Sequence, residues 1–258
     1  MTVRAPRFFC PDALHGDRAV LTDEEARHAL AARRLAIGDA VELFDGRGTA
    51  RMGEIERCDR RRLTVRFVEA EQNEPVEHHL LTIALSPPRG DRMAFAVEKL
   101  SELGCHTIMP VVFQRSLDAG VTAGTGKIRK WRRRLIESAK QCGRNRLAEI
   151  TEPLPLAEAL EQFSGADLLL FLDCHEETTR LNDLLRRNAC HASRTVILVG
   201  PEGGLTAEER CVMIDRQGRP ARLWNHVLRI ETAALAAAAL YNGHNDSTGC
   251  NGEGRDPR

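Results

Sequence analysis

Five apolar segments follow one another after residue 79, each long enough for a buried strand and too short for a long core helix. They are LLTIAL from Leu80, TIMPVVF from Thr107, ADLLLFLD from Ala166, TVILVG from Thr195 and ARLW from Ala221. Amphipathic segments separate them, and the clearest, residues 91–103, ends at Gly104. Buried strands that alternate with such helices are typical of a parallel sheet covered on both faces. The sequence therefore predicts an α/β domain, at residues 80–242.

The first 72 residues show a different pattern, of short apolar runs separated by turn signals. Asp45-Gly46 lies between two strand-like segments and predicts a β-hairpin. The segment from Arg60 to Glu69 alternates apolar and polar residues, as a half-exposed strand does. One helix is expected at residues 23–33. We therefore predict a small β-rich domain at residues 1–72, joined to the α/β domain by the polar segment 69–79.

The last sixteen residues, 243–258, are polar and rich in glycine, which predicts a disordered tail. The 37 Lys and Arg residues balance 37 Asp and Glu residues, so the whole chain has no field that attracts polyanions or membranes. Any nucleic-acid surface must therefore be local.

Eight cysteines are scattered along the chain without a Cys-x-x-Cys pair, which argues against a zinc ribbon or a thioredoxin-type centre. The alternative is a metal site formed by Cys174-His175 and Cys190-His191, but such a wide spacing is unusual for a metal site. No run approaches the roughly 20 apolar residues of a membrane span, and the N-terminal stretch has no signal-peptide core. We expect reduced thiols, no metal, no membrane and a cytoplasmic location.

The stretch VILVGPEGGLTAEE, residues 196–209, reads as a strand, a glycine loop and a helix start. Neither the Walker pattern nor the dinucleotide fingerprint fits its glycines. Glu202 would repel a pyrophosphate in a partly dry site, and Thr206 with Glu209 forms a capping box that closes the helix N-terminus. The loop suits a neutral or cationic ligand such as S-adenosylmethionine. The alternative is a tight turn before a well-capped helix.

A second stretch, LWNHVLRIETAALAAAALYN, passes from a strand end into an alanine-rich helix. A buried helix of high propensity explains the alanines. It does not explain Arg229 and Glu231, which lie at the strand-to-helix junction, where open α/β sheets bind ligands.

LVGPEGGLTAEE and VLRIETAALAA together resemble the paired signatures of the RsmE family. RFFC, LFDGRG, GDRMAFAVEKLSELG and ESAKQCGRNR, in that order, extend the resemblance over nearly the whole chain except the tail. RsmE proteins are ribosomal RNA methyltransferases of the SPOUT superfamily that modify N3 of a uridine in 16S rRNA. The resemblance implies a PUA-like β-barrel at the N-terminus and a C-terminal SPOUT methyltransferase domain, an α/β parallel sheet with a deep trefoil knot. It also implies a homodimer whose paired knots form the active sites.

The resemblance implies a methyl-donor site for S-adenosyl-L-methionine. Its residues here would be Leu172, Leu198, Val199, Gly200, Gly203, Gly204, Leu223, Trp224, Val227 and Leu228. The chain departs from the family at Trp224-Asn225-His226, where Gly-x-Arg is usual, and at Ala148, where proline is common. Trp224 would either crowd the donor pocket or stack on adenine.

Three residues are candidates for catalysis of uridine methylation. Arg229 would stabilise negative charge on the uracil oxygens. Glu231 or Glu202 would accept the N3 proton or orient Arg229, and the structural alternative is that each caps a helix or forms an ion pair.

Residues 127–146 carry nine Lys or Arg and one acid, with apolar positions at helical spacing. Such a cluster would neutralise RNA phosphates, although a solvated helix face is the alternative. A second basic group lies at residues 57–66. The predicted RNA-binding residues are Arg7, Arg115, Lys127, Arg129, Lys130, Arg132, Arg133, Lys140, Arg144 and Arg146. The expected partner is 16S rRNA or the small ribosomal subunit. The rival functions are another SPOUT RNA methyltransferase, acting on tRNA or a ribose hydroxyl, and a catalytically silent RNA-binding factor.

Overall fold

A computed structural model describes residues 5–12, 14–32, 34–59, 61–116, 125–174, 178–188 and 192–247. The chain divides into two compact units, which we call the N-terminal and C-terminal units. The N-terminal unit comprises Met1–Val76 and Ile136–Leu147, and the C-terminal unit comprises Glu77–Leu135 and Ala148–Arg258. The division falls within the predicted boundary region, between residues 72 and 80, while residues 136–147 group with the N-terminal unit. The predicted domain bounds themselves stay a prediction.

The N-terminal unit is built mainly from short strands. Its elements are β1 (Arg7–Phe9), β2 (Arg18–Thr22), α1 (Asp23–Arg27), β3 (Ala40–Phe44), β4 (Thr49–Asp59), β5 (Arg62–Phe67) and β6 (Gln72–Asn73). The strand order is β1-β3-β4-β5-β2, and β6 pairs with β4. The predicted hairpin is β3–β4, and the predicted helix is α1 followed by a π-helical turn at His28–Ala32. The predicted linker was wrong in part, because β6 lies within it and extends the sheet.

The C-terminal unit alternates strands and helices, as predicted. Its elements are β7 (Leu80–Leu85), α2 (Arg92–Glu102), β8 (Thr107–Val112), α3 (Thr125–Cys142, shared with the N-terminal unit), β9 (Glu149–Ile150), β10 (Leu154–Pro155), α4 (Leu156–Gln162), β11 (Leu168–Leu172), α5 (Leu181–Asn188), β12 (Arg194–Val199), α6 (Ala207–Asp215), β13 (Arg219–Ala221) and α7 (Ile230–Ser247). The strand order is β10-β8-β7-β12-β11-β13, with β9 beside β8, and every pairing is parallel.

One detail of this sheet differs from the sequence prediction. The last strand ends at Ala221, where the predicted strand began, because β13 pairs with β11 through Arg219, Pro220 and Ala221. Pro220 has no N–H for a ladder, and β13 is accordingly at the end of the strand order, where proline is tolerated.

Helices cover both faces of the parallel sheet. On one face, Ile83 and Val199 pack in a core with residues of α2 and α7, including Ala234. On the other face, Phe171 and Leu198 pack with residues of α4 and α6. Because the alanines of α7 have little side-chain bulk, this helix lies close against β7 and β12. Each described helix is too short or too polar to span a bilayer.

Helix α7 continues past residue 242, so the prediction of a disordered tail was wrong for residues 243–247. Asn242 Nδ2 donates to the Leu103 carbonyl, and His244 Nε2 lies 2.8 Å from Asn182 Oδ1. These contacts with preceding helices hold the last turns in place. Residues 248–258 of the predicted tail lie outside the described residues.

Arg7 is buried inside the N-terminal unit, with 6% of its surface exposed. Its Nε is 2.8 Å from Glu42 Oε2, its Nη2 donates to Asn145 Oδ1, and its guanidinium lies 4.9 Å from the centre of the Phe44 ring. The prediction that Arg7 binds RNA was therefore wrong, because the guanidinium is enclosed by protein. It joins β1 and β3 to the segment Ile136–Leu147.

We expect Arg7→Met to lower the free energy of unfolding by about 3 kcal/mol, because it removes a buried guanidinium that pairs with the largely enclosed Glu42 carboxylate. Urea denaturation measures the change. Arg57→Met is the matched control, since the Arg57 side chain is 74% exposed and its removal should cost less than about 0.5 kcal/mol. Equal stability of the two variants would contradict this account of Arg7.

Candidate active site

A cleft of about 410 Å³ opens at the carboxyl edge of the parallel sheet in the C-terminal unit. Two segments form most of its wall: the glycine loop, residues 200–204, and the junction segment, residues 223–228. The lining residues are Leu172, Asp173, Cys174, Val199, Gly200, Pro201, Glu202, Gly203, Gly204, Leu205, Arg210, Leu223, Trp224, His226, Val227, Leu228, Ile230 and Ala233. Ligand pockets are typically about 300–1,000 Å³, so the cleft can hold a nucleoside-sized molecule.

Nine of the ten predicted donor-binding residues line this cleft. They are Leu172, Val199, Gly200, Gly203, Gly204, Leu223, Trp224, Val227 and Leu228. Leu198 does not line it, and its role in donor binding stays a prediction. Side chains alternate along a strand, so Val199 faces the cleft side of β12 while Leu198 is buried against the opposite face. That the other nine bind a donor stays a prediction.

The glycine loop needs its glycines because other groups lie close to it. A Cβ at Gly200 would be 2.9 Å from Leu205 Cδ2, and a Cβ at Gly203 would be 3.1 Å from Arg115 Cβ. Gly204 has a φ of +73°, which side chains rarely adopt. The loop therefore presents bare backbone to the cleft.

The helix after the glycine loop is capped by its own side chains, as predicted. Thr206 Oγ1 accepts from the Glu209 amide at 3.2 Å, and Glu209 Oε2 accepts from the Thr206 amide at 2.9 Å. Glu209 Oε1 also accepts from the Gln114 amide at 2.7 Å, which fixes the backbone next to Arg115. The N-terminus of α6 is thus closed to an anion.

Two carboxylates line the cleft, and each is paired with an arginine. Asp173 Oδ2, at the end of β11, lies 2.7 Å from Arg210 Nε. Glu202 Oε1, in the glycine loop, lies 3.3 Å from Arg92 Nη2. Sequence reasoning missed Asp173, Arg210 and Arg92. The signal for Asp173 is its place at the carboxyl end of a buried strand, where α/β proteins bind ligands.

The three predicted catalytic residues differ in their environments. Glu202 lines the cleft. Glu231, in the first turn of α7, is buried, and its Oε2 lies 3.7 Å from Arg92 Nη1 without a hydrogen-bond partner. Arg229 is exposed at the junction, between the lining residues Leu228 and Ile230. The sequence left three roles open for the two carboxylates: proton acceptor, orientation of Arg229, or a helix cap or ion pair. In the structure both lie within ion-pair distance of Arg92.

Two aromatic side chains stand at the rim of the cleft. Trp224 is 61% exposed, and its ring lies 6.0 Å from that of His226 in a T-shaped arrangement. Because the indole projects outward, it leaves the cleft open and offers a flat face beside it. Cys174 also lines the cleft, while His175, Cys190 and His191 of the alternative metal reading lie outside the described residues.

The predicted RNA-binding residues divide into exposed and engaged side chains. Lys127, Arg129, Lys130, Arg132 and Arg133 are exposed on α3, while Ile128, Trp131 and Leu135 are buried, as the helical spacing predicted. The Lys130 ammonium, hydrogen-bonded to Asp91 at 3.0 Å, holds the pKa of that carboxyl below its ordinary value. Arg115 is exposed and donates to the Gly203 carbonyl at 3.1 Å.

Lys140, Arg144 and Arg146 belong to the N-terminal unit instead. The Lys140 side chain is 9% exposed and pairs with Glu25 at 2.6 Å, so its prediction as an RNA contact was wrong. Arg144 and Arg146 are half-buried, and the Glu74 carboxylate accepts from the Arg146 amide at 3.0 Å. An RNA contact by either arginine stays a prediction.

Comparison with known proteins assigns both units. The model of the RNA methyltransferase domain matches residues 75–242, and that of the RNA methyltransferase PUA domain matches residues 21–68. The ribosomal RNA small subunit methyltransferase E of Synechocystis sp. is 27% identical over 239 residues, which cover 90% of this chain and 75% of that protein. The Mycobacterium tuberculosis protein of the same name is 28% identical over 228 residues, or 86% and 85% of the two chains.

Solved structures agree with this assignment. A ribosomal RNA small subunit methyltransferase E from Neisseria gonorrhoeae, bound to S-adenosyl methionine, has a TM-score of 0.82 and 28% identity, and the match covers 93% of this chain and 98% of that one. A Legionella pneumophila methyltransferase in complex with the same cofactor has a TM-score of 0.81 and 26% identity, with coverage of 93% and 98%. The chain therefore belongs to the RsmE family of RNA methyltransferases, with a methyltransferase domain that follows a PUA domain.

Proposed function

We propose that this protein transfers a methyl group from S-adenosyl-L-methionine to N3 of a uridine in 16S rRNA of the small ribosomal subunit. The observation that carries the proposal is the cleft between the glycine loop and the junction segment. It lies at the carboxyl edge of the sheet, in a chain whose fold matches that of an S-adenosyl methionine-bound relative with a TM-score of 0.82.

The residues of the cleft fit this methyl donor. Bound S-adenosyl-L-methionine supplies an electrophilic methyl group on a sulfonium cation. Asp173 and Glu202 place carboxylates at the cleft wall, each paired with an arginine, so these pairs give the wall no excess positive charge that would select a phosphate. Gly203 and Gly204 line the cleft without side chains, which lets a ligand approach their backbone closely. Leu172, Val199 and the other apolar lining residues suit the flat face of an adenine.

Two residues have proposed roles in the reaction at uridine. N3 carries a proton, which must leave as the new bond to the methyl carbon forms. Glu202 accepts that proton, because its carboxylate lines the cleft, whereas the Glu231 oxygen that faces Arg92 is buried. Arg229 donates hydrogen bonds to the uracil oxygens as negative charge develops on them, since its guanidinium is exposed beside the cleft.

The exposed basic residues of α3 hold the RNA. Lys127, Arg129 and Arg132 contact phosphates, while the target base leaves the RNA stack and enters the cleft. The PUA domain adds a second RNA contact.

We also propose a homodimer with a trefoil knot in the methyltransferase domain, no bound metal, and a cytoplasmic location where ribosomal subunits are made. The strand order, with β7 between β8 and β12, is compatible with that knot.

Tryptophan fluorescence should report donor binding. Of the two tryptophans, Trp131 is 6% exposed and Trp224 is 61% exposed at the cleft, so S-adenosyl-L-methionine should alter the emission of Trp224. In Trp224→Phe this emission change should be absent while calorimetry still detects binding. A saturable emission change that persists in Trp224→Phe would contradict donor binding beside Trp224. ATP is the control ligand, and it should give no change.

Mass mapping of 16S rRNA tests the reaction itself. Ribosomes from a strain without the gene should lack one N3-methyluridine, which the wild-type gene restores. Arg229→Ala should lower kcat by about 100-fold, because it removes a donor to the developing charge, and leave donor affinity nearly unchanged. If the strain instead lacks a methyl group on tRNA or on a ribose, the proposed substrate is wrong. An Arg229→Ala protein with wild-type kcat would contradict the proposed role of Arg229.

Salt dependence tests the RNA surface of α3. Replacing Lys127, Arg129 and Arg132 with Gln should weaken RNA binding and reduce the slope of log affinity against log salt by roughly one for each phosphate that is no longer neutralised. Donor affinity should stay the same. Arg186→Gln and Arg187→Gln on α5 are matched controls. An unchanged salt slope in the α3 variant would place the RNA elsewhere.

A further inference from the structure

Arg92, the first residue of α2, contacts acidic side chains from both sides of the cleft. Its Nη2 lies 3.3 Å from Glu202 Oε1, in the glycine loop. Its Nη1 lies 3.7 Å from Glu231 Oε2, in the first turn of α7, which begins directly after the junction segment and Arg229. One guanidinium thus contacts the glycine loop and the first turn of α7, although the two carboxylates are 29 residues apart in sequence.

Contacts other than the two carboxylates also help to position this guanidinium. Arg92 Nε donates to the Arg89 carbonyl at 3.2 Å. Met93 and Val97 of the same helix are buried in the core that α2 shares with α7. Arg92 therefore extends from a well-packed helix, and the more open glycine loop contacts it through Glu202.

The burial of Glu231 makes this contact more than a surface ion pair. Exposed pairs contribute little, but Glu231 Oε2 is a buried oxygen without a hydrogen bond, and a buried charge without a cation is costly. In the part of the chain that the structure describes, Arg92 is the cation within ion-pair distance of it. Glu202 shares the same guanidinium, so Arg92 links the cleft wall to a carboxylate that is buried in the first turn of α7.

We propose that Arg92 is a positioning residue that couples the glycine loop to the N-terminus of α7, so that donor affinity and the placement of Glu202 depend on it. Arg92 does not line the cleft and acts through Glu202 and Glu231. Arginine suits this role, because its planar guanidinium can donate to two carboxylates at once, whereas a lysine ammonium is a compact point charge. The proposal rests on the proposed function.

The test combines Arg92→Gln and Arg92→Lys with Glu202→Gln and Glu231→Gln, singly and in pairs. Calorimetry gives the affinity for S-adenosyl-L-methionine, single-turnover kinetics gives the rate of methylation, and thermal unfolding gives stability. Arg92→Gln should weaken donor binding and slow methylation by about tenfold each, because small displacements of reacting groups cost rate steeply. Arg92→Lys should restore the unfolding temperature but not the methylation rate. Arg89→Gln is the matched control. It removes the same charge from an exposed neighbouring residue and should behave as wild type.

The pairs of variants identify how Arg92 acts. In the Glu202→Gln, Glu231→Gln background, Arg92→Gln should cost less than about twofold further, since its partners are already neutral. Full additivity would overturn the proposal, as would an Arg92→Gln protein that unfolds earlier but binds the donor and methylates normally. If the wild-type protein binds no S-adenosyl-L-methionine, the proposed function fails together with this inference. If the wild-type protein binds the donor normally and Arg92→Gln methylates at the wild-type rate, the inference about Arg92 is wrong while the proposed function stands.

Discussion

Parallel pairing of β11 with β12 on one side and β13 on the other is the constraint on which the site depends. Parallel strands end at the same edge of a sheet, so the segments that follow these three strands converge. Asp173 follows β11, the glycine loop follows β12, and the junction segment comes shortly after β13. The alanines of α7 let this helix pack directly on the sheet, which brings Glu231 to the same edge. The cleft is thus a consequence of topology before any side chain in it is considered.

The charged groups at the cleft then influence which ligand it can bind. Many α/β proteins use a glycine loop and an open helix N-terminus to bind phosphate. Here the Thr206–Glu209 capping box occupies the helix N-terminus, and two carboxylates, Asp173 and Glu202, line the cleft. Each of these two carboxylates is balanced by one arginine, Arg210 or Arg92, so the two pairs add no net charge to the wall. The cleft therefore lacks the open helix N-terminus and the excess positive charge that favour a pyrophosphate, and it is compatible with a cationic methyl donor.

Local patterns were sufficient to predict most elements and to single out the glycine loop and the junction before α7, whereas the individual donor residues came from the family resemblance. Apolar runs predicted the strands β7, β8, β11 and β12, and the Thr206–Glu209 spacing predicted the cap, because each depends on residues adjacent in sequence. Without the fold, the sequence could not show which side chains of β12 face the cleft, and so could not show that Leu198 is buried on the opposite face.

Other features depended on contacts between distant residues and had no local signal. In the sequence Arg7 looks like one more basic residue, and only the structure shows that it contacts Glu42 and Asn145. Lys140 likewise looks like part of a basic helix face, and only the structure shows its ion pair with Glu25. Arg92 lies 110 residues before Glu202 and more before Glu231, so the sequence alone could not show that they meet. The helical end of α7 likewise depends on contacts with Asn182 and Leu103.

The central claim is that the glycine loop and the junction segment together enclose the methyl donor. Amide hydrogen exchange with and without S-adenosyl-L-methionine tests it directly, because both segments carry exchangeable amides. The account predicts that the donor slows exchange in residues 200–204 and 223–228 together, with little change in the N-terminal unit. Protection of one segment without the other, or protection confined to a different part of the chain, would contradict it.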